Sequence, residues 1–282
     1  MKMTILAIDL GNYNIKTSEG FMFVSTFTEG EVLNPQGEEV LVFQDKTYMM
    51  EKGTFDNEYN KSKKNYKPNL LYAISKSIPK NIKEIDLVLG VPVDNIKITE
   101  QFKEELQGKE FEWVLNGKKG TIKINRIATV GEGISAFYTL NKLKRLSPII
   151  MIDIGGRTVN VIVFEKGKIK DKFTIPQGMI DLYDVIAAKE NATGNRYRAE
   201  QIYDLIERNI ITDTEKEERL FIKQIMNEIN RRVDINLYDI VFSGGGSIAL
   251  EGHLEEIGDI IEDGLFANVN GNKLIAEKQW RG

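Results

Sequence analysis

Cysteine is absent from this 282-residue chain, and histidine occurs once, at His253. The first absence removes disulfides, thiolate metal sites and cysteine nucleophiles together. The second excludes a multi-histidine metal site and nearly excludes a Ser/His/Asp triad. No apolar run approaches the roughly 18–20 residues needed to span a bilayer, so no membrane segment is expected. An excess of positive charge is also missing. The 38 Lys+Arg face 42 Asp+Glu, for a net charge of −4. That balance argues against direct binding of nucleic acid, which needs clustered cations to displace counterions. It leaves open a local basic patch, or a partner that binds DNA on the chain's behalf. Met1-Lys2-Met3-Thr4-Ile5 runs straight into strand-like sequence, without a signal-peptide layout. A cytoplasmic protein is expected. Its chemistry must come from carboxylates, Lys/Arg, hydroxyls, backbone amides or a bound hard cation.

What is present reads as a globular α/β chain. Hydrophobic residues make up 41% and charged residues 28%, and at about 150 residues per domain the length predicts two domains. Thr4 to Asp9 is a short apolar strand ending in an acid. Val40 to Phe43 and Thr47 to Met50 flank Gln44-Asp45-Lys46 as a hairpin. Phe55 to Lys67 reads as loop, and Pro68 opens a helix with Leu70, Leu71, Ile74 and Ile78 at helical spacing. Asp86 to Val91 is a buried strand ended by Pro92. Thr99 to Gln107 suggests a short helix, and Phe111–Leu115 and Thr121–Ile127 pair across Asn116-Gly117. Gly133 to Arg145 reads as a helix, broken by Ser147-Pro148, where the domain boundary is expected. In the second half, Ile149 to Asp153 is again an apolar strand ending in an acid. Three helices are expected between Gly178 and Gly244, near 179–190, 198–209 and 212–233. A short helix closes the chain after Asn270-Gly271.

One long-period echo organises these elements. Leu6-Ala7-Ile8-Asp9-Leu10-Gly11 and Ile150-Met151-Ile152-Asp153-Ile154-Gly155 match at a constant offset of 144 residues, Asp9 to Asp153. Each is a strand, an acid, an apolar residue, a glycine, a turn and a second strand. Two related lobes facing each other are the natural reading.

The repeated turn has a definite chemical use. Its backbone amides can form a nest for phosphate oxygens. Its Asp supplies a hard oxygen for Mg²⁺, which keeps most of its waters. A single Asp-x-Gly is an ordinary turn; two copies at corresponding places predict a clamp on a nucleotide and its metal. Lys16, on the strand leaving the first turn, can reach back to phosphate, or it is a solvated strand lysine. Ser243-Gly244-Gly245-Gly246-Ser247 follows an apolar strand and lets the backbone approach a flat ligand. No Gly-x-x-x-x-Gly-Lys-Ser/Thr loop is present, which excludes a P-loop enzyme.

These residues resemble a known family. Asp9-Leu10-Gly11-Asn12-Tyr13-Asn14-Ile15-Lys16 resembles the first phosphate motif of the actin-like ATPase superfamily, and Asp153-Ile154-Gly155-Gly156-Arg157-Thr158 the second. Phe242-Ser243-Gly244-Gly245-Gly246 resembles its adenosine motif, and Val269-Asn270-Gly271 the start of its second connecting helix. Within the superfamily the chain is most similar to the bacterial plasmid-segregation actins, the ParM/StbA group. Asn14-Ile15-Lys16, Gly53-Thr54-Phe55-Asp56 with Asn60-Lys61, and Leu89-Gly90-Val91-Pro92 carry that likeness.

The resemblance implies an actin-like (ribonuclease H-like) α/β fold, with two related lobes around a nucleotide cleft. The lobes would be residues 1–146 plus 270–282, and 147–269. Three helices between Gly178 and Gly244 leave little room, so the outer subdomain of the second lobe is expected to be reduced. The resemblance also implies roles. Asp9 and Asp153 would hold hydrated Mg²⁺. Lys16 and the turns Gly11-Asn12-Tyr13-Asn14 and Gly155-Gly156-Arg157-Thr158 would cradle the phosphates. Glu132 would orient the attacking water, or else it is only a helix-start acid. Gly244, Gly245 and Gly246 would lie along the nucleotide, and Glu200, rather than Arg196, would contact ribose or base. Two positions depart from the pattern. Asn12 stands where many members have Ser or Thr, and Arg157 stands where a small residue is common.

The implied function is a filament-forming ATPase that binds ATP or ADP with Mg²⁺, GTP being left open. It would assemble head to tail with itself and separate plasmid DNA through a DNA-bound adaptor protein. The basic Lys61, Lys63, Lys64 and Lys67 and the acidic stretch Glu251 to Asp263 could be complementary filament faces. Solvated surface is the plainer reading of both runs. The alternative functions are a non-polymerising small-molecule kinase and a nucleotide-binding scaffold on the same fold.

Overall fold

The computed structural model describes residues 4–30, 37–56, 63–91 and 97–281. Asn60, Lys61 and Pro92 lie outside the described residues. The chain divides into two compact units, Met1–Thr139 with Phe266–Gly282, and Leu140–Leu265.

Unit 1 is built on one nine-stranded mixed sheet. Its strands are β1 (Thr4–Leu10), β2 (Asn14–Thr17), β3 (Met22–Val24), β4 (Phe27–Glu29), β5 (Val40–Phe43), β6 (Lys46–Met50), β7 (Glu84–Val91), β8 (Glu110–Leu115) and β9 (Lys118–Gly131). Their spatial order is β3-β2-β1-β7-β9-β8-β5-β6-β4. Helices α1 (Lys67–Ser77) and α2 (Lys97–Leu106) join strands within this unit, with Pro68 in the first turn of α1 as expected. Strand β1 is buried on both faces, as a central strand between parallel and antiparallel neighbours should be. Leu6, Ile8 and Leu10 join the large core with Leu70, Leu71 and Phe102. Ile5 and Ala7, alternating with them, pack on the other face with Val88, Val269 and Ala276.

Two hairpins of this sheet turn on residues with positive φ, the geometry whose twist suits a two-residue connection. Asn116-Gly117 has φ of 49° and 74°, and Gln44-Asp45 has 51° and 60°.

The helix expected over Gly133–Arg145 is a single turn, α3 (Ile134–Phe137). Gly133 precedes it at φ 77°. It stops because the Thr139 hydroxyl donates to the Ala136 carbonyl at 2.7 Å, giving that group a side-chain partner where the helix ends. A short 3-10 turn follows at Lys144–Leu146. Lys144 pairs with Asp259 of unit 2. Residues 140–146 therefore group with the second unit, and the division falls before Ser147-Pro148.

Unit 2 repeats the plan on a smaller sheet. It contains β10 (Ile149–Ile154), β11 (Val159–Glu165), β12 (Lys168–Ile175), β13 (Asp239–Ser243) and β14 (Asp259–Ile260), in the order β12-β11-β10-β13-β14. Between Gly178 and Gly244 come α4 (Met179–Asn191), α5 (Ala199–Glu207), α6 (Glu215–Asn230), a 3-10 turn and β13. No further strand occurs in that stretch, in keeping with the reduced outer subdomain. The apolar stripe of α6 buries Phe221, Ile222, Ile225 and Ile229. Short helix α7 (Gly245–Ala249) starts in the glycine run, and α8 (Glu251–Leu254) and β14 lie in the acidic stretch. The chain then returns to unit 1 as α9 (Ala267–Arg281), longer than the short closing helix expected and already helical at Asn270-Gly271. Val269 and Ala276 of α9 close the face of β1 and β7 opposite α1.

Candidate functional site

The repeated turns are equivalent in register as well as in sequence. In unit 1, Asp9 pairs with Lys16 and Leu10 with Ile15. In unit 2, Asp153 pairs with Asn160 and Ile154 with Val159. Each acid is the last residue but one of a central strand, and both are buried. Gly11 and Gly155 occupy the same place. A Cβ on Gly11 would lie 2.2 Å from the Asn14 carbonyl oxygen, and one on Gly155 would lie 3.0 Å from that of Thr158. The Gly155 amide donates to that carbonyl at 2.9 Å. Only glycine lets the chain turn this tightly at Gly11.

In the first turn, Tyr13 packs on Phe55 with centroids 4.7 Å apart, which anchors the loop. The Asn12 carboxamide oxygen accepts from Lys64 Nζ at 2.5 Å. Lys64 is thus part of this site, and Lys67 pairs with Glu105 at 2.9 Å. Lys64 and Lys67, both considered for a filament face, are engaged within their own unit. Lys16 is buried beside Asp9 in the strand register.

Glu132 directly follows β9, and its amide donates to the Val91 carbonyl at 2.8 Å. It is buried. Gly90 on β7 brings it to Asp9. A Cβ there would stand 3.4 Å from Asp9 Oδ1, 3.7 Å from Glu132 Cγ and 3.4 Å from Asn272 Nδ2. Asn272 carried no expectation from the sequence, and Gly90 only the family likeness of its segment, without a site role. Their meaning lies in the meeting of β7 and α9, which are far apart along the chain. The neighbouring Asn268 was also missed. It accepts from the Gly133 amide at 2.8 Å and from Ser135 Oγ at 3.2 Å, which fixes the start of α3 and so the backbone after Glu132.

In the second turn, α4 docks end-on. The amides of Met179 and Ile180 donate to the carbonyls of Gly155 and Gly156 at 3.0 and 2.8 Å. Gly178 is required there, since a Cβ would sit 2.6 Å from the Gly156 carbonyl. Asp153 accepts from Ser243 Oγ at 3.1 Å. The following Gly244, at φ 87°, presses so close that a Cβ would meet Asp153 Oδ1 at 2.7 Å. A Cβ on Gly246 would collide with Ile154. These two glycines of the triple run therefore serve first to dock the motif on the second turn.

The Arg157 side chain is mostly buried and lies 3.9 Å from Asp181 of α4. Glu200 sits in the first turn of α5. The Asp184 carboxyl on α4 is held above its ordinary value, first by partial burial, then by Asp181 and Glu200 against the opposing pull of Arg157. Glu200, Asp184, Asp181 and Arg157 thus form one charged group in unit 2. Among the described residues no cluster of three His, Cys, Asp or Glu is placed to hold a metal ion. No described helix is long and apolar enough to cross a membrane.

The two central strands that carry these acids near their ends, with their repeated glycine turns on mixed sheets, define an actin-like fold. Residues 7–134 match the family model for the N-terminal domain of actin-like proteins. Solved structures extend the likeness to the whole chain. The archaeal actin homologue Ta0583 superposes with a TM-score of 0.82 at 20% identity, over 98% of this chain and 100% of its own. A subunit of the 15-stranded ParM filament from Clostridium botulinum gives 0.80 at 18% identity, over 99% of this chain and 100% of its own. Ta0583 in complex with ADP gives 0.82 at 18% identity, over 98% and 100%. No curated protein matches the chain significantly in sequence. The chain has an actin-like fold, similar to those of ParM and of the archaeal actin homologue.

Proposed function

We propose that this protein is a filament-forming, actin-like ATPase that assembles head to tail and separates plasmid DNA through a DNA-bound adaptor. The observation that carries the reading is the glycine turn built twice, in the same strand register, each behind a buried aspartate. We read both turns as serving the phosphates of one nucleotide. An ADP complex is known for one structural neighbour and a filament for another.

Mg²⁺ fits the chemistry of the donors present, which are the hard carboxylate oxygens of two buried aspartates. Asp9 and Asp153 would hold it, and the ion would offset phosphate charge. The turn amides and Lys16 cradle the β- and γ-phosphates, and Glu132 orients water for in-line attack. Gly244–Gly246 and Glu200 take the nucleoside end. Heterologous contacts between copies give open polymers, and ATP turnover would set their lifetime.

Sedimentation and light scattering with Mg-ATP, Mg-ADP and no nucleotide test this reading. Nucleotide-dependent assembly is expected; its absence at tens of micromolar protein overturns the filament. Phosphorylation of a small-molecule acceptor without assembly would instead identify a kinase on the same fold. Glu132→Ala should slow phosphate release about 100-fold while assembly persists. Unchanged release would leave Glu132 as a helix-start acid.

A further inference from the structure

Asn272 lies inside α9 and is 0% exposed. Neither its Oδ1 nor its Nδ2 has a hydrogen-bond partner within the protein. Buried amides are nearly always satisfied, and an exception calls for an explanation. Poor fit of α9 does not supply one, because the helix is held in register on that face. Asn268, one turn earlier, bonds Gly133 and Ser135. Gly271 packs so closely that a Cβ would stand 2.0 Å from the Ser135 carbonyl oxygen. Asn272 is therefore fixed where it points.

Its Nδ2 lies beside Gly90. The position a Cβ would take there is 3.4 Å from Asn272 Nδ2, 3.4 Å from Asp9 Oδ1 and 3.7 Å from the Glu132 stem. A donor and an acceptor thus lie close together beside the unsubstituted Cα of Gly90. A buried water bonded to both would satisfy the amide.

We propose that Asn272 is a positioning residue for hydrolysis, holding a water over Gly90 that bridges to Asp9 and Glu132. The inference rests on the roles assigned above to those two acids. The water accepts from Asn272 Nδ2 and donates one hydrogen to Asp9 Oδ1. Its second hydrogen serves the Glu132 carboxylate. It is not the attacking water. It ties the two acids in place before nucleotide arrives, so that less reorganisation is left for the reaction itself. A neutral amide suits this task. It donates without adding a third negative charge or a cation that would compete with Mg²⁺.

Two variants reach the same water from opposite sides. Asn272→Leu removes both polar atoms at similar volume. Gly90→Ala adds a methyl group at ordinary contact distance from Asn272 Nδ2 and Asp9 Oδ1, where it crowds out a water held between them. Each should lower kcat about tenfold or more while KM for ATP stays within about threefold. The double variant should be no worse than either single one, as expected when both act through one group. Asn272→Ser keeps a hydroxyl that can bond the water and should recover part of the loss. Two readouts need no turnover. A high-resolution crystal structure of the nucleotide-free protein should show water over Gly90, and Asn272→Leu should melt no higher than wild type.

An amide that is merely buried and unpaired behaves differently. Its replacement by Leu would raise the melting temperature by a few degrees, leave kcat unchanged and find no water density. Any of these overturns the proposal. If the wild type hydrolyses no ATP, the functional reading fails and the hydrolytic role of Asn272 with it. The melting and density results then decide the water bridge alone.

Discussion

At the residue scale the two turn glycines differ in how tightly they are held. A Cβ at Gly11 would be driven into a backbone carbonyl, whereas one at Gly155 would be only somewhat too close to its counterpart. Gly11→Ala should therefore cost about 3 kcal/mol and Gly155→Ala about 1 kcal/mol, read by urea denaturation. Equal costs would show that the turns relax more freely than their register suggests. Glu105 offers a titration test. Burial opposes its ionised form, but bonds from Gln101, Lys67 and Tyr66 outweigh burial and hold its carboxyl below the ordinary 4.5. Its stabilising effect is then complete above pH 4.5 and is lost as pH falls through the lowered value. Glu105→Gln should cost about 1 kcal/mol at pH 7, allowing for partial exposure. The difference from wild type should shrink in denaturation curves taken progressively below pH 4.5.

At the element scale α9 is held by a glycine that helix propensity alone would disfavour. Gly271→Ala should improve the isolated helix yet cost more than about 3 kcal/mol, since its Cβ meets the Ser135 backbone. Gly252→Ala in α8 meets nothing and should be neutral or stabilising by up to about 1 kcal/mol. Thermal melts of the pair separate packing from propensity. The same contrast explains what the residues alone could reveal. The strands that carry Asp9 and Asp153, the Asn116-Gly117 hairpin and the stripe of α6 were legible because local pattern and tertiary burial agree there. The helix expected to reach Arg145 was not. Leu143 and Leu146 hold apolar positions at helical spacing yet are 81% and 59% exposed. Helix α9 read as short because Asn268, Asn270, Gly271 and Asn272 are weak helix formers that packing overrides. Of the candidate site, the acids and turn glycines were readable. Lys64, Gly90, Asn268 and Asn272 were not, because each gains its role from a partner distant in sequence.

At the scale of the molecule the two units are closed differently. Unit 2 is one continuous stretch, Leu140–Leu265, whereas unit 1 needs Phe266 onward. A fragment of residues 140–265 should fold by itself, giving cooperative unfolding and dispersed amide resonances. A fragment of residues 1–139 should not, because Ile5, Ala7 and Val88 would lose Val269 and Ala276. Adding a peptide of residues 266–282 in trans should restore its order. A well-folded 1–139 fragment would show that α9 is dispensable for the sheet. The order of synthesis follows from the same feature. Helix α9 leaves the ribosome only after every residue of the second unit, so the first unit must wait with one face of its central strands uncovered. A nascent chain therefore cannot seat Asn268 against Gly133, nor fix the backbone beside Glu132, until translation has passed Gly271.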